Sequence, residues 1–134
     1  MTTQKSESIP IASSADVVLL RQKVRVWAVE LKFGLVDQTK MVTAASELAR
    51  NTLGHGGGGT CVMELVSNGT RDGLSLTFED KGPGISDIDL ALKDGYSTGG
   101  GLGLGLGGSK RLVSEFEIAS KVGEGTRVTV VRWK

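Results

Sequence analysis

The residues that could do chemistry in this chain fall in three short stretches, in a set order. In Ser46-Glu47-Leu48-Ala49-Arg50-Asn51 a carboxylate and an amide stand four residues apart, so on a helix they point the same way. Next, Asp80-Lys81-Gly82-Pro83-Gly84 sets an acceptor beside two glycines. Last comes Gly99-Gly100-Gly101-Leu102-Gly103-Leu104-Gly105-Leu106-Gly107-Gly108, a glycine-rich loop that opens a helix. Together they offer an acceptor for a base edge, room for close backbone approach, and N–H groups for phosphates. That is what a nucleoside triphosphate needs. An Asn oxygen joined by triphosphate oxygens makes a good Mg²⁺ shell, and a Glu one turn away can take a proton from an incoming hydroxyl. A carboxylate such as Asp80 accepts from an exocyclic amine, which favours adenine over guanine.

Each stretch also has a plainer reading. Glu47 and Asn51 could be solvated helix-face residues, and Gly-Pro-Gly is turn chemistry in any protein. The late glycine run formally matches a dinucleotide fingerprint over Gly103 to Gly108, but that fingerprint belongs after the first strand of a βαβ unit. A P-loop fails too, because Ser109 stands where Lys should follow Gly108. A flexible linker does not explain the alternation of Leu102, Leu104 and Leu106, which suggests a loop that packs when closed. The sole histidine, His55, lies just past a helix and not on the exposed face of a dimerising hairpin, so a phosphoacceptor role is disfavoured.

These groups need elements to carry them. Ile9 and Ile11 alternate around Pro10, which predicts an edge strand over 7–12. Ser14 can cap a helix whose apolar positions Val17, Leu20, Val24, Trp27 and Leu31 recur at helical spacing, with Gly34 ending it. A second helix is expected from Asp37 to about Leu53, with Met41, Ala45, Leu48 and Thr52 inward. Thr60 to Val66 reads as a buried strand, joined through the turn residues 67–73 to a partner in which Leu74, Leu76 and Phe78 alternate. That partner delivers Asp80 at its end. Asp87 caps a short helix through Leu92, another helix runs from Gly108 to about Glu115, and strands 116–122 and 126–133 close the chain. The layout is an α/β (α+β) sandwich: a mostly antiparallel mixed sheet covered on one face by helices.

Bulk properties narrow the class. The chain has 134 residues, 39% hydrophobic and 23% charged, which fits one globular domain with a core of its own. A net charge of +1 and 4% aromatics give neither a nucleic-acid footprint nor a polybasic membrane patch. Cys61 is the only cysteine, so no intrachain disulfide forms, and its apolar strand context makes it a buried thiol. No signal peptide or membrane span is legible, and a cytoplasmic location is expected. Glycine is the outlier at 20 residues, about twice the usual share. Eight lie between Gly95 and Gly108 and five between Gly54 and Gly59, a clustering that points to mobile or ligand-hugging loops.

With these motifs in place, the chain resembles the GHKL (Bergerat-fold) ATP-binding superfamily over essentially its whole length. Glu47…Asn51 resembles the N box, Asp80-x-Gly82-x-Gly84 the G1 box, and Gly101-x-Gly103-x-Gly105 with Leu106, Gly107 and Gly108 the G2 box. Gly123-x-Gly125-Thr126 resembles the last motif, whose Thr helps hold adenine. The short form is similar to the stand-alone serine/threonine kinases of bacterial partner-switching pathways. The phrases Glu47-Leu48-Ala49-Arg50-Asn51 and Gly95-Tyr96-Ser97-Thr98 resemble those of the stressosome switch kinases.

The resemblance implies ATP and Mg²⁺ as cofactors, with Glu47 as base, Asn51 on the metal, Asp80 and Thr126 on adenine, and backbone of 101–108 on the phosphates. It implies a lid over about 95–108, STAS-domain scaffold or antagonist proteins as substrates, and a serine phosphatase activated downstream. A homodimer is compatible with it. Related anti-sigma kinases carry an Arg within the lid that reaches the γ-phosphate. Here 95–108 hold neither Arg nor Lys, and Lys110 and Arg111 are the nearest cations. The anti-sigma reading, a sigma-sequestering module that phosphorylates an anti-anti-sigma factor, therefore stands second.

Overall fold

The chain runs β1 (Thr2–Ile11), α1 (Ser14–Glu30), α2 (Leu35–Gly54), β2 (Gly59–Ser67), β3 (Asp72–Asp80), α3 (Ile88–Ala91), α4 (Gly105–Arg111), β4 (Glu115–Lys121) and β5 (Gly125–Trp133). This is a computed structural model, and it describes residues 1–93 and 105–134. The strands form one sheet in the order β1-β2-β3-β5-β4, and every described pairing is antiparallel. β3 is therefore central, flanked by β2 and β5. Whatever stands at its end is held by ladders on both sides.

The core follows the two periodicities read in the sequence. Ile9 and Ile11, Cys61 and Met63, Leu74, Leu76 and Phe78, and Val128 and Val130 alternate onto one face. Leu20, Val24 and Trp27 from α1, and Met41, Ala45 and Leu48 from α2, cover that face. Burying one such side chain contributes about 1.5–3 kcal/mol, so the helix-to-sheet layer is the main source of stability. Cys61 lies fully buried in this layer, and burial pushes its thiol pKa up.

Several boundaries differ from expectation, each for a local reason. β1 begins at Thr2, because Thr2 and Thr3 also pair with β2, across a register shift at Gln4; Pro10, opposite Thr60, is tolerated at the sheet edge. The cap of α1 is Ser13, whose Oγ accepts from the Asp16 amide at 3.3 Å. α2 starts at Leu35 behind Gly34, and Asp37 is not its cap. The Asp37 carboxylate instead accepts from Arg132 Nη2 at 2.5 Å, tying α2 to the last strand. α4 opens at Gly105 and ends at Arg111, earlier than the glycine content of 105–108 suggested. Packing overrides propensity here: a Cβ on Gly107 would lie 2.2 Å from the Leu92 carbonyl oxygen, so α4 presses directly onto the end of α3.

Candidate active site

A cleft of about 200 Å³ opens where the C-terminal half of α2 and the ends of β3 and β5 meet α3 and α4. Its walls are apolar: Leu48 from α2, Phe78 and Val128 from the sheet, Ile85 and Leu90 around α3, and Leu106 from α4. Such walls suit a flat ring. A few polar groups, Asn51, His55, Asp80 and Thr126 among them, converge on it.

Strand register places Asp80. It ends β3 directly opposite Thr126 near the start of β5, and each is only 9% exposed. Asp80 Oδ1 accepts from the Gly82 amide at 2.9 Å, which fixes the carboxylate and leaves Oδ2 available. The room around it is made by glycine. A Cβ on Gly56 would lie 2.3 Å from Asp80 Cγ, and one on Gly82 would lie 2.7 Å from the Gly56 backbone. Gly84 has φ +76, and a side chain there would strike the Lys121 carbonyl oxygen at 2.2 Å. The glycines of 54–59, legible in the sequence only as a loop, thus include one that backs directly onto the acceptor.

Two contributors were not legible as site residues. Ser120 pairs with Thr126 across β4 and β5. Its Oγ accepts from the Ile85 amide at 2.8 Å and lies 2.8 Å from Thr126 Oγ1 and 3.1 Å from the Gly125 carbonyl oxygen. One hydroxyl therefore joins β4, β5 and the loop after Asp80. The available signal was a small polar residue in register with Thr126, but register is a tertiary fact. His55 is the other. Its Nε2 donates to the Gly84 carbonyl at 3.2 Å, tying the end of α2 to the same loop.

The remaining candidates divide. Asn51 lines the cleft from α2, and its side-chain amide has no hydrogen-bond partner among the described residues. Glu47, one turn earlier, is 4% exposed and does not line the cleft; its carboxylate sits 3.3 Å from Arg50 Nη1. Leu106 is buried against the cleft at the start of α4, and Gly105, Gly107 and Gly108 share that helix. Lys110 is exposed in the last turn of α4, away from the cleft lining. Gly101 and Gly103, with Leu102, Leu104 and the run Gly95-Tyr96-Ser97-Thr98, lie outside the described residues. Among the described residues no three His, Cys, Asp or Glu side chains converge as a metal cage. A hard cation here would take one protein oxygen plus phosphate oxygens, a donor set that fits Mg²⁺.

Residues 36–134 match the family described as histidine kinase-, DNA gyrase B-, and HSP90-like ATPase. The serine/threonine-protein kinase RsbT of Bacillus subtilis (strain 168) is 46% identical over 125 residues, covering 93% of this chain and 94% of that protein. Among solved structures, the RsbU and RsbW domains of a Mycobacterium tuberculosis protein superpose with a TM-score of 0.67 at 22% identity. That match covers 97% of this chain and 32% of the other, so the chain spans about a third of its length. The mycobacterial sensor histidine kinase MprB superposes with a TM-score of 0.57 at 17% identity, covering 96% of this chain and 97% of that one. These two likenesses concern the fold alone. The family match and the identity to RsbT go further: the chain belongs to the histidine kinase-, DNA gyrase B-, and HSP90-like ATPase family, on its serine/threonine-protein kinase branch.

Proposed function

We propose that this chain transfers the γ-phosphoryl group of ATP to a Ser or Thr hydroxyl on STAS-domain scaffold or antagonist proteins. Once released from them, it activates a downstream serine phosphatase. One observation supports this above the others: a buried carboxylate, Asp80, stands opposite Thr126 between apolar walls, with Asn51 on the facing helix. In this reading Asp80 accepts from the adenine amine, with Thr126 beside it. Gly82 and Gly84 let the backbone approach, and Asn51 would hold Mg²⁺, whose charge offsets that of the phosphates. Backbone amides of 101–108 hold the phosphates, and 95–108 serve as the lid.

The chemical step is simple to balance. The substrate hydroxyl oxygen bonds to the γ-phosphorus, the bond to the β–γ bridging oxygen breaks, ADP leaves, and Glu47 takes the hydroxyl proton. Catalysis then rests on positioning and charge neutralisation. Because the Glu47 carboxylate lies beside Arg50, substrate docking has to bring the hydroxyl to it. Lys110, at the far end of α4, would meet the γ-phosphate only from outside the cleft. We further place the chain in the cytoplasm as one domain over 1–134; no helix among the described residues is long and apolar enough to cross a membrane.

The test is phosphotransfer from labelled ATP to purified STAS-domain proteins encoded beside this chain, with phosphosite mapping. Label on a STAS Ser or Thr, lost in Glu47→Ala and reduced at subsaturating ATP in Asp80→Asn, is the expected result. Tight Mg-ATP binding with no transfer to any of them would leave a nucleotide-gated binding module instead.

A further inference from the structure

α1 is apolar on two sides. Val17, Leu20, Val24, Trp27 and Ala28 are buried against the sheet and α2, as an amphipathic helix requires. On the outer side Val18, Val26 and Val29 remain 49%, 56% and 54% exposed. They recur at helical spacing and, with Val42 of α2, line a shallow groove of about 720 Å³. From Val18 to Val29 the stripe runs about three turns, roughly 16 Å. It shares no lining residue with the cleft that holds Asp80 and Asn51.

The charges on the groove say what would fill it. Arg21 and Arg25 stand in the middle of the stripe. Arg21 has no partner among the described residues, and Arg25 bonds only the neutral Gln38 amide oxygen, at 3.3 Å. The groove's one carboxylate, Glu30, is already held by Lys5 at 3.3 Å. Valines flanking two uncompensated guanidiniums fit an occupant that is apolar along its middle and acidic along its flank. A second copy does not fit. Two-fold packing of the stripe on itself would set Arg21 and Arg25 against their own copies, with Glu30 diverted.

We propose that the groove between α1 and α2 docks an acidic amphipathic helix of a partner protein. Apolar side chains at three- and four-residue spacing would lie on Val18, Val26 and Val29, and carboxylates would meet Arg21 and Arg25. The proposal goes beyond the kinase reading and does not depend on it, since neither surface uses the other's residues.

The probe is a synthetic helical peptide of about eighteen residues with leucines on one face and glutamates on its flanks, paired with a version carrying lysines in place of glutamates. Each is titrated into the full chain with Mg-ATP present and followed by heteronuclear NMR. The glutamate peptide should shift resonances of residues 18–30 and 42 and bind at least about tenfold tighter than the lysine peptide. The double variant R21E/R25E should reverse that preference, and V26D should abolish binding by both, with Mg-ATP affinity unchanged as proof of folding. Equal binding of the two peptides, shifts confined to other surfaces, or no shifts at millimolar peptide would overturn the proposal. So would a dimer in sedimentation that V26D dissociates, because the occupant would then be a second copy.

Discussion

The two ends of the cleft are built differently. At the Asp80 end the polar groups are fixed by the sheet and by the loop after β3: Asp80 accepts from Gly82, Ser120 accepts from Ile85 and meets Thr126, His55 reaches Gly84, and Asp80 faces Thr126 by register. At the Asn51 end the polar group comes from α2, with Glu47 one turn earlier and off the cleft lining. Asn51 makes no side-chain bond among the described residues, and Glu47 is held only by its own helix neighbour Arg50. The Asp80 end is preorganised, and the Asn51 end is left for a ligand and substrate to complete, which on the proposed reading makes them the base and phosphate ends. Affinity and chemistry should therefore separate by mutation.

Glu47→Ala should break the chemical end alone. With substrate saturating, kcat should fall by about two to four orders of magnitude, typical for losing a general base, while Mg-ATP affinity stays unchanged. Single-turnover phosphotransfer with parallel calorimetry checks both halves, and retained activity would remove Glu47 from the mechanism.

At the other end, Asp80→Asn should weaken ATP binding by roughly ten- to a hundredfold, the worth of a hydrogen bond to a charged group. It should also relax discrimination against GTP, because an amide can turn a donor toward the guanine carbonyl. Calorimetry with both nucleotides reads this directly; equal ATP affinity in the two proteins would place the base elsewhere.

Gly56→Ala tests whether the Asp80 end is as rigid as its contacts indicate. The new methyl would overlap the Asp80 carboxyl, so the carboxylate has to move, and ATP affinity should drop about tenfold. Bound phosphotransfer should persist, giving a KM effect with little change in kcat. An unaffected KM would mean that the loop yields instead.

Ser120→Ala should show the smallest effect. Removing one hydroxyl that joins Ile85, Gly125 and Thr126 costs about 1 kcal/mol, so ATP affinity should fall roughly fivefold with kcat preserved. If kcat fell instead of affinity, the division between the two ends would be wrong.

Much of this site was legible before any coordinates. Glu47 and Asn51 share a helix by their spacing, and Asp80 ends a strand because Leu74, Leu76 and Phe78 alternate up to it. Such inferences hold because helical and strand periodicities are properties of the local backbone. Gly56 and Ser120 were not legible for the converse reason. Gly56 matters only because β2 and β3 pair so that its backbone meets Asp80, and Ser120 only because β4 lies beside β5 with Thr126 opposite.

Local sequence, then, determined which residues ride on the same element and which way they face, through periods of 3.6 and 2. It determined the capping of α3 by Asp87 and the bend at Gly84, where φ is positive. Only the tertiary structure decided that Asp80 faces Thr126, that Glu47 is buried and off the cleft, and that α4 begins within the glycine run at Gly105, pressed onto the end of α3. Each of these depends on a contact between elements distant in the chain, and such contacts are set by burial and strand register, which no local window of sequence contains.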